Sequence, residues 1–270
     1  MITSIAILLF TDQLNKTIQL SFPPKRIVSL VPSQTELLYL LGLDEEVIGI
    51  TKFCVHPENW FRTKQRIGGT KTINIDAVKL LHPDLIIANK EENVKDQIEE
   101  LQGIAPVWVS DIETLDDALQ MIKSIGELVN KANEACMIAA DIKAGFQQIK
   151  RLNTKLRTAY LIWKDPFMTA GGDTFISDMM SYCGFYNIYK DYSRYPQITI
   201  EQLAEMECEV LLLSSEPYPF KEKHIQELQR QLPDTTIVLA HGEMFSWYGS
   251  RLLLASAYFT RLIRQIQQRL

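Results

Sequence analysis

Along most of the chain, short runs of branched apolar residues alternate with segments in which apolar residues recur at helical spacing. Before residue 114, the strand-like runs are 6–10, 26–31, 47–51, the end of 73–87, and APVWVSD at 105–111. The helical segments between them are SQTELLYLLG, the start of 73–87 and EENVKDQIEELQG. Strands that alternate with helices predict a mostly parallel sheet with helices on its faces. The pattern therefore predicts an α/β fold.

Capping residues suggest where individual helices begin and end. Ser33 is followed three residues later by Glu36, which matches a capping box, so a helix is predicted to begin at Ser33. Gly42 is a suitable residue to end that helix. In the second half of the chain, Asp173 or Thr174 is the candidate cap and Gly184 the candidate stop for another helix.

The middle of the chain differs from both flanks because residues 114–153 carry an almost purely helical pattern. A helix of about 20 residues is ~30 Å long. Residues 130–153 contain no proline, so this connection is expected to be stiff. Strands and helices alternate again after it. We therefore divide the chain into an N-terminal α/β lobe at 1–129, a connecting backbone helix at 130–153 and a C-terminal α/β lobe at 154–270.

One structural unit occurs twice, as NIDAVKLLHPDLIIANKEE at 74–92 and as TIEQLAEMECEVLLLSSEP at 199–217. Each copy places an acid, Asp76 or Glu201, in the first turn of a predicted helix. The helix dipole favours a carboxylate there by roughly 0.3–1 kcal/mol, which explains a single acid without any function. The repetition suits docking onto a symmetric partner with two basic sites, since catalysis needs carboxylates within several ångströms of each other.

Composition narrows the class of protein further. The chain has 270 residues, of which 46% are hydrophobic and 23% charged, and a formal net charge of −5. An acidic balance argues against a general nucleic-acid binder. No apolar run reaches the roughly 18 residues that a membrane-spanning helix needs. The apolar run at 6–10 follows no Lys or Arg and is short for a signal peptide, so we interpret it as a first strand.

Aromatic side chains near strand ends and in irregular segments are candidates for contact with a flat or bulky ligand. Ordinary packing is the alternative for each of them taken singly. The segment EMFSWYGSR is the hardest to interpret as core, because it mixes aromatic residues with glutamate, glycine and arginine. The candidates are Phe53, Trp163, Phe167, Tyr195, Phe245 and Trp247.

Evidence for a metal site or a catalytic centre is weak in the sequence. Cys54, His56 and His241 are candidate metal ligands by residue type, but their spacing matches no standard metal motif. GGTKT and TAGGDT are glycine-containing loops without a nucleotide-binding fingerprint, and neither GxSxG nor HExxH occurs. The four cysteines form no CxxC pair and are expected to be free thiols. His224 belongs to a polar helical segment and is expected to be solvated.

Three stretches resemble a known family: PKRIVSLVPSQTELLYLLGL, NIDAVKLLHPDLIIA and GGDTFISDMMSYCGFYNIY. They are similar to the substrate-binding proteins of cobalamin and iron-siderophore ABC importers, the helical-backbone or class III periplasmic binding proteins. The resemblance runs from about residue 12 to the C-terminus. It implies two Rossmann-like lobes with mostly parallel sheets, related to the chelatase fold, joined by one long rigid helix, with a ligand cleft between them.

The resemblance also implies roles for particular residues. Members of the family dock onto a dimeric membrane permease through one carboxylate on each lobe, and Asp76 and Glu201 occupy the matching positions. Phe53, Trp163 and Tyr195 fall where the cobalamin binder has aromatic residues. Arg194 and Arg251 are candidates for binding an anionic chelate, as arginines do in siderophore binders. For Arg251, a salt bridge to a helix is the alternative.

We therefore expect a non-enzymatic, monomeric binding protein without an intrinsic cofactor. It would deliver a corrinoid, a ferric siderophore or haem to an ABC permease and its ATPase, with no nucleic-acid partner. A metal-handling enzyme on a chelatase-like fold and a binder of free zinc or manganese are the alternatives. The resemblance implies a periplasmic or cell-envelope location, whereas the lack of a convincing signal peptide leaves a cytoplasmic one open.

Overall fold

The structure, a computed structural model, describes residues 6–152 and 154–270. Residues 1–5 of the predicted N-terminal lobe (1–129) lie outside the described residues. So does residue 153 of the predicted connecting helix (130–153). The chain divides into two compact units. Unit 1 contains the described residues up to Ile112, then Asp116–Asp141 and Tyr248–Arg251. Unit 2 contains Glu113–Leu115, Ile142–Trp247 and Leu252–Leu270.

Unit 1 begins with two strands and continues as alternating strands and helices. Its strands are β1 (Ala6–Thr11), β2 (Thr17–Phe22), β3 (Ile27–Ser29), β4 (Val47–Ile50), β5 (Gln65–Arg66), β6 (Leu85–Asn89) and β7 (Val107–Ser110). Its helices are α1 (Pro32–Leu40), α2 (Glu58–Thr63), α3 (Ile75–Leu80), α4 (Lys95–Gln102) and, apart from its first residue, α5 (Leu115–Leu128). Helix α6 (Ala132–Gln147) begins in unit 1 and ends in unit 2.

The main sheet of unit 1 is parallel, as the alternation of strands and helices predicts. Its strand order is β5-β4-β3-β6-β7, and each neighbouring pair is parallel. All residues of β3, β6 and β7 are buried, which fits strands covered by helices on both faces. The first two strands form a separate antiparallel hairpin in which Leu8 pairs with Leu20.

Unit 2 repeats the alternation with a second sheet. Its strands are β8 (Leu156–Trp163), β9 (Met168–Thr169), β10 (Phe185–Asn187), β11 (Val210–Ser214) and β12 (Thr236–Ala240). Its helices after α6 are α7 (Phe175–Cys183), α8 (Ile200–Glu205), α9 (Glu222–Gln229), α10 (Gly242–Ser246) and α11 (Leu252–Gln267).

The second sheet is also mainly parallel. Strands β10-β8-β11-β12 follow one another in the sheet and pair in parallel, and the short β9 pairs with β8 in the antiparallel direction. All five residues of β11 are buried, and Leu211 and Leu213 belong to a core that includes Leu203 of α8 and Leu228 of α9. The predicted α/β fold with mostly parallel sheets is confirmed.

The repeated unit seen in the sequence is a repeated structure. Helix α3 leads into β6, and α8 leads into β11. The side chain of Asn74 caps α3 by accepting the Ala77 N–H at 3.0 Å. Thr199 and Gln202 form a capping box at α8. Each copy thus begins its helix with a side-chain cap and places its acid in the first turn.

The predicted capping box at Ser33 is wrong. Helix α1 begins one residue earlier, at Pro32, after Val31, which makes no side-chain cap. Ser33 is buried, and its hydroxyl has no hydrogen-bond partner within the described residues. The segment 248–251 covers this turn so closely that a Cβ on Gly249 would stand 2.2 Å from the Ser33 carbonyl oxygen. The predicted stop at Gly42 is consistent with its φ of +77°.

The predicted ends of α7 are confirmed. Thr174 is the N-cap, and its hydroxyl accepts the Ser177 N–H at 3.2 Å. Gly184 ends the helix in the left-handed conformation at φ +85°, which glycine adopts without a steric penalty.

Candidate functional site

Two of the predicted ligand-binding residues lie at or just after the carboxyl ends of parallel strands. In open α/β sheets ligands bind outside these ends. In unit 1, Phe53 follows β4 and is 51% exposed, with the Lys52 ammonium 5.2 Å from its ring centre. In unit 2, Trp163 is the last residue of β8 and is 39% exposed. Both side chains therefore offer aromatic surface to a ligand.

A network of buried polar side chains supports the carboxyl edge of the sheet in unit 1. Gln34 donates from Nε2 to the Ser110 hydroxyl at 2.6 Å, and Asn89 donates to the same oxygen at 3.0 Å. Asn93 accepts the Asn89 N–H at 2.9 Å and donates to the Thr70 carbonyl at 3.0 Å. Connected buried hydrogen bonds rigidify their surroundings, so this network holds the loops after β5, β6 and β7 in place.

Cys54 belongs to the interior of unit 1. Its side chain is fully buried, and its sulfur lies 3.1 Å from the Thr35 hydroxyl and 3.2 Å from the Thr51 hydroxyl. Burial raises the pKa of the thiol, which opposes formation of the thiolate that binds metals. Among residues 6–152 and 154–270, no group of three or more His, Cys, Asp or Glu side chains, with or without His56 and His241, could hold a metal ion.

Three predicted side chains of unit 2 remain at least partly accessible. The ring of Trp163 contacts the ring of Tyr218 edge-on, with centres 5.8 Å apart. Phe167 is half-buried and packs against the core of the unit. Tyr195 is half-buried, and the Arg194 guanidinium carbon lies 6.0 Å from the centre of its ring.

The two aromatic residues predicted from EMFSWYGSR are buried. Phe245 is completely inaccessible, and its ring packs against Tyr160 and Phe259 with centres 4.9 and 4.8 Å apart. As placed, it offers no surface to a ligand. Trp247 is 8% exposed, and its indole N–H donates to Oε1 of Glu216 at 3.0 Å.

Glu216 is a candidate site residue that the sequence analysis missed. It follows the carboxyl end of β11, and its Oε1 accepts a second hydrogen bond, from the Ser246 hydroxyl at 2.9 Å. Burial raises the pKa of Glu216, and the nearby Glu243 carboxylate raises it further, against the effect of these hydrogen bonds. The available signal was its position just after a strand end, where ligand-binding loops begin.

The two predicted arginines differ in their surroundings. Arg251 is held by the carboxylate of Glu36, with Nη2 2.6 Å from Oε1 and Nε 3.1 Å from Oε2. Its guanidinium is therefore engaged in an ion pair within unit 1. Arg194 has an exposed side chain, a φ of +57°, and a hydrogen bond from Nη1 to the Asp173 carbonyl at 3.3 Å.

Both predicted docking acids are exposed in the first turns of their helices, Asp76 in α3 and Glu201 in α8. The pKa of Glu201 is lowered because its carboxylate accepts hydrogen bonds from its own backbone N–H and from the Thr199 hydroxyl. The copy in each unit thus presents an accessible carboxylate from a capped helix.

None of the helices in the described part of the chain combines the length and apolar character needed to cross a membrane. A family model described as "Periplasmic binding protein" matches residues 27–234. The vitamin B12-binding protein of Vibrio campbellii is 28% identical over 197 residues, 71% of each chain. That of Pectobacterium carotovorum is 27% identical over 243 residues, 86% of each chain.

Solved structures of binding proteins are similar in fold. The siderophore-binding protein BauB, bound to acinetobactin and ferric iron, superposes with a TM-score of 0.79, covering 96% of this chain and 99% of its own at 16% identity. The haem-binding protein BhuT superposes with a TM-score of 0.76, covering 90% and 98% at 18% identity. At these identities the likeness concerns the fold.

Proposed function

Since the chain belongs to the periplasmic binding protein family, we propose that it captures a metal chelate and delivers it to an ABC importer. The observation that carries the proposal is the match over residues 27–234, which spans both α/β units. Substrate-binding proteins of this family bind and hand over their ligands and are not enzymes. They work with a membrane permease and its ATPase.

The proposed ligand is a corrinoid, haem or a ferric siderophore. These are large ligands, and corrinoids and haem have a broad, nearly planar ring that stacks well on aromatic side chains. Phe53 in unit 1 and Trp163 in unit 2 are accessible aromatic residues at the carboxyl ends of strands. We assign them direct contact with the ligand, together with the half-buried Phe167 and Tyr195.

The proposed contacts with the permease are made by Asp76 and Glu201. Each carboxylate is exposed on a short helix and is available for charge-assisted hydrogen bonds to arginines. We propose that the protein acts as a monomer outside the cytoplasmic membrane, in keeping with a family of periplasmic and extracellular binding proteins.

The test is binding of coloured ligands. The purified protein would be mixed with cyanocobalamin, haemin or a ferric siderophore, and examined by visible absorbance and native mass spectrometry. We expect a one-to-one complex with one of these ligands. Trp163→Ala should weaken it about tenfold or more, because aromatic anchors dominate such contacts.

Tyr39→Ala is the matched control, since Tyr39 is 42% exposed in the last turn of α1 in unit 1 and is not among the side chains assigned to the ligand. It should leave the affinity unchanged. Failure of the wild-type protein to bind any of the three ligands would overturn the proposed function.

A further inference from the structure

Glu216 has one carboxylate oxygen fixed and one open. Oε1 accepts hydrogen bonds from the Ser246 hydroxyl at 2.9 Å and from the Trp247 indole at 3.0 Å. Oε2 has no hydrogen-bond partner within the described residues, and this atom is not fully buried. The side chain is thus oriented by two donors and keeps one acceptor atom accessible to solvent.

The backbone around Glu216 is fixed as well. The Ser214 hydroxyl donates to the Glu216 carbonyl at 2.5 Å and accepts the Glu216 N–H at 3.3 Å. Gly242 lies so close that a Cβ there would stand 2.3 Å from Cγ of Glu216. A side chain held on this many sides is preorganised for one interaction geometry.

The charges around Glu216 favour a ligand that is not an anion. Two charged or titratable groups act on the ionisation of Glu216. The Glu243 carboxylate opposes ionisation of Glu216, and His241 favours it. Within the described residues, no Lys or Arg forms an ion pair with Glu216. An approaching carboxylate would therefore meet like charge here, whereas an N–H donor would meet an oriented acceptor.

We propose that Glu216, in unit 2, determines which metal chelate the protein binds. Its carboxylate accepts hydrogen bonds from a neutral or cationic chelate with N–H donors at its rim. It disfavours chelates that carry carboxylates. Primary amides on a corrinoid are donors of this kind, and haem propionates are the disfavoured class. The inference rests on the proposed function, because it names the chemistry of that same ligand.

Glu216→Gln tests the inference sharply because the two side chains have the same shape. Ser246 and Trp247 are both donors to Oε1, so they will hold the glutamine carbonyl oxygen at this position. The open atom then changes from an acceptor to an N–H donor. Cyanocobalamin affinity should fall about tenfold to hundredfold, as expected for losing a hydrogen bond to a charged group, while haemin affinity should rise or stay constant.

Glu222→Gln is the matched control, since Glu222 is an exposed glutamate of α9 in the same unit. It should change neither affinity. Ser246→Ala provides a second variant that keeps the carboxylate but removes one orienting donor, and it should reduce the preference for cyanocobalamin to a smaller extent. Circular dichroism would establish that each variant is folded.

The outcomes separate the inference from the proposed function. A wild-type preference for cyanocobalamin that Glu216→Gln narrows or reverses supports the inference. If the wild-type protein binds haemin or an anionic siderophore more tightly, or if Glu216→Gln binds cyanocobalamin as well as wild type does, the inference is overturned and the proposed function stands. If wild type binds none of these ligands, both fall.

Discussion

Arg251 and Glu36 form a two-point ion pair, with Nη2–Oε1 and Nε–Oε2 separations of 2.6 and 3.1 Å. Only 11% of the Arg251 side chain and 20% of the Glu36 side chain are exposed. Arg251 ends the segment 248–251, and Glu36 lies on α1. The pair therefore attaches that segment to the first helix of unit 1.

Removing one member of this pair should destabilise the protein strongly. Arg251→Met leaves the Glu36 carboxylate largely buried without its main partner, at a cost on the order of 3 kcal/mol. Adding Glu36→Gln should recover part of that loss, because the uncompensated charge is then gone. Urea unfolding of both singles and the double variant measures the coupling.

The exposed ion pair of Arg62 with Glu58 on α2 is the control. Arg62→Met should cost at most about 0.5 kcal/mol, as for exposed pairs at this helical spacing. Strict additivity of the Arg251 and Glu36 substitutions would contradict the assigned role of the pair.

Gly249→Ala should destabilise the protein because the segment 248–251 leaves no room for a methyl group. Its Cβ would stand 2.2 Å from the Ser33 carbonyl oxygen, and forced overpacking of this kind typically costs about 1–3 kcal/mol. Gly103→Ala is the matched control, with φ at −75° and a nearest neighbour 3.2 Å away. Thermal unfolding should shift for the first variant only; equal midpoints would show that the segment moves freely away from α1.

If Asp76 and Glu201 contact the permease, substitutions there should separate ligand binding from permease docking. Asp76→Ala combined with Glu201→Ala should leave ligand affinity unchanged, because neither carboxylate is among the side chains assigned to the ligand. The same double variant should lose binding to the permease in detergent or nanodiscs, since each carboxylate is assigned to an arginine.

A matched control for docking comes from α4 and α9. Asp96→Ala with Glu222→Ala removes two exposed first-turn acids, again one in each unit. This variant should bind the permease as wild type does. Normal docking by the Asp76 and Glu201 double variant would refute the assignment.

Glu216 predicts a pH dependence of stability. Burial raises the pKa of Glu216 in the native state. At pH values between the unfolded and the folded pKa, the native state therefore binds more protons than the unfolded state. The free energy of unfolding then falls as pH rises. Glu216→Gln removes this loss. The variant should therefore gain more free energy of unfolding, relative to wild type, at about pH 7 than at about pH 4.

Glu243 and His241, which act on the ionisation of Glu216, are present in both proteins, so the comparison isolates the change at Glu216. A constant offset for Glu216→Gln across the same range would contradict the raised pKa.

His224 predicts a loss of stability on acidification. It is 4% exposed, so the expectation that it is solvated is wrong. Its Nδ1 accepts the Lys221 N–H at 2.8 Å, which requires an unprotonated nitrogen, and burial lowers its pKa. Going from about pH 7 to about pH 5 should therefore destabilise wild type more than His224→Gln, which keeps an acceptor at this capping position. An identical pH profile for His224→Gln and wild type would show that His224 remains uncharged without cost.

Local patterns predicted much of the fold because they determine local structure directly. The cap at Thr174 and the stop at Gly184 depend on residues within one helical turn. The capping box at Ser33 failed because the turn is covered by residues 248–251, more than two hundred positions away in the chain. His224 failed for a related reason: its helix is polar in sequence, yet the aromatic rings of Tyr218 and Phe220 cover it.

The candidate site was less predictable because exposure and hydrogen bonding are tertiary properties. Sequence placed Phe53 and Phe245 in one class, but the first is half exposed and the second has no accessible surface. The pairing of Arg251 with Glu36 and the orientation of Glu216 depend on contacts across 215 and 31 positions, respectively. Residue type and position relative to strands identify candidates, and packing decides which of them a ligand can reach.

The path of the chain through residues 248–251 has a consequence for dissecting the protein. Unit 2 is interrupted by these four residues, which belong to unit 1, and unit 1 is completed only when they are present. A gene fragment that stops within α6 would encode a first unit without Arg251 and leave Glu36 without this ion pair. The two units therefore cannot be exchanged by recombination within α6 alone, because both products would be incomplete. A functional chimera must also transfer residues 248–251.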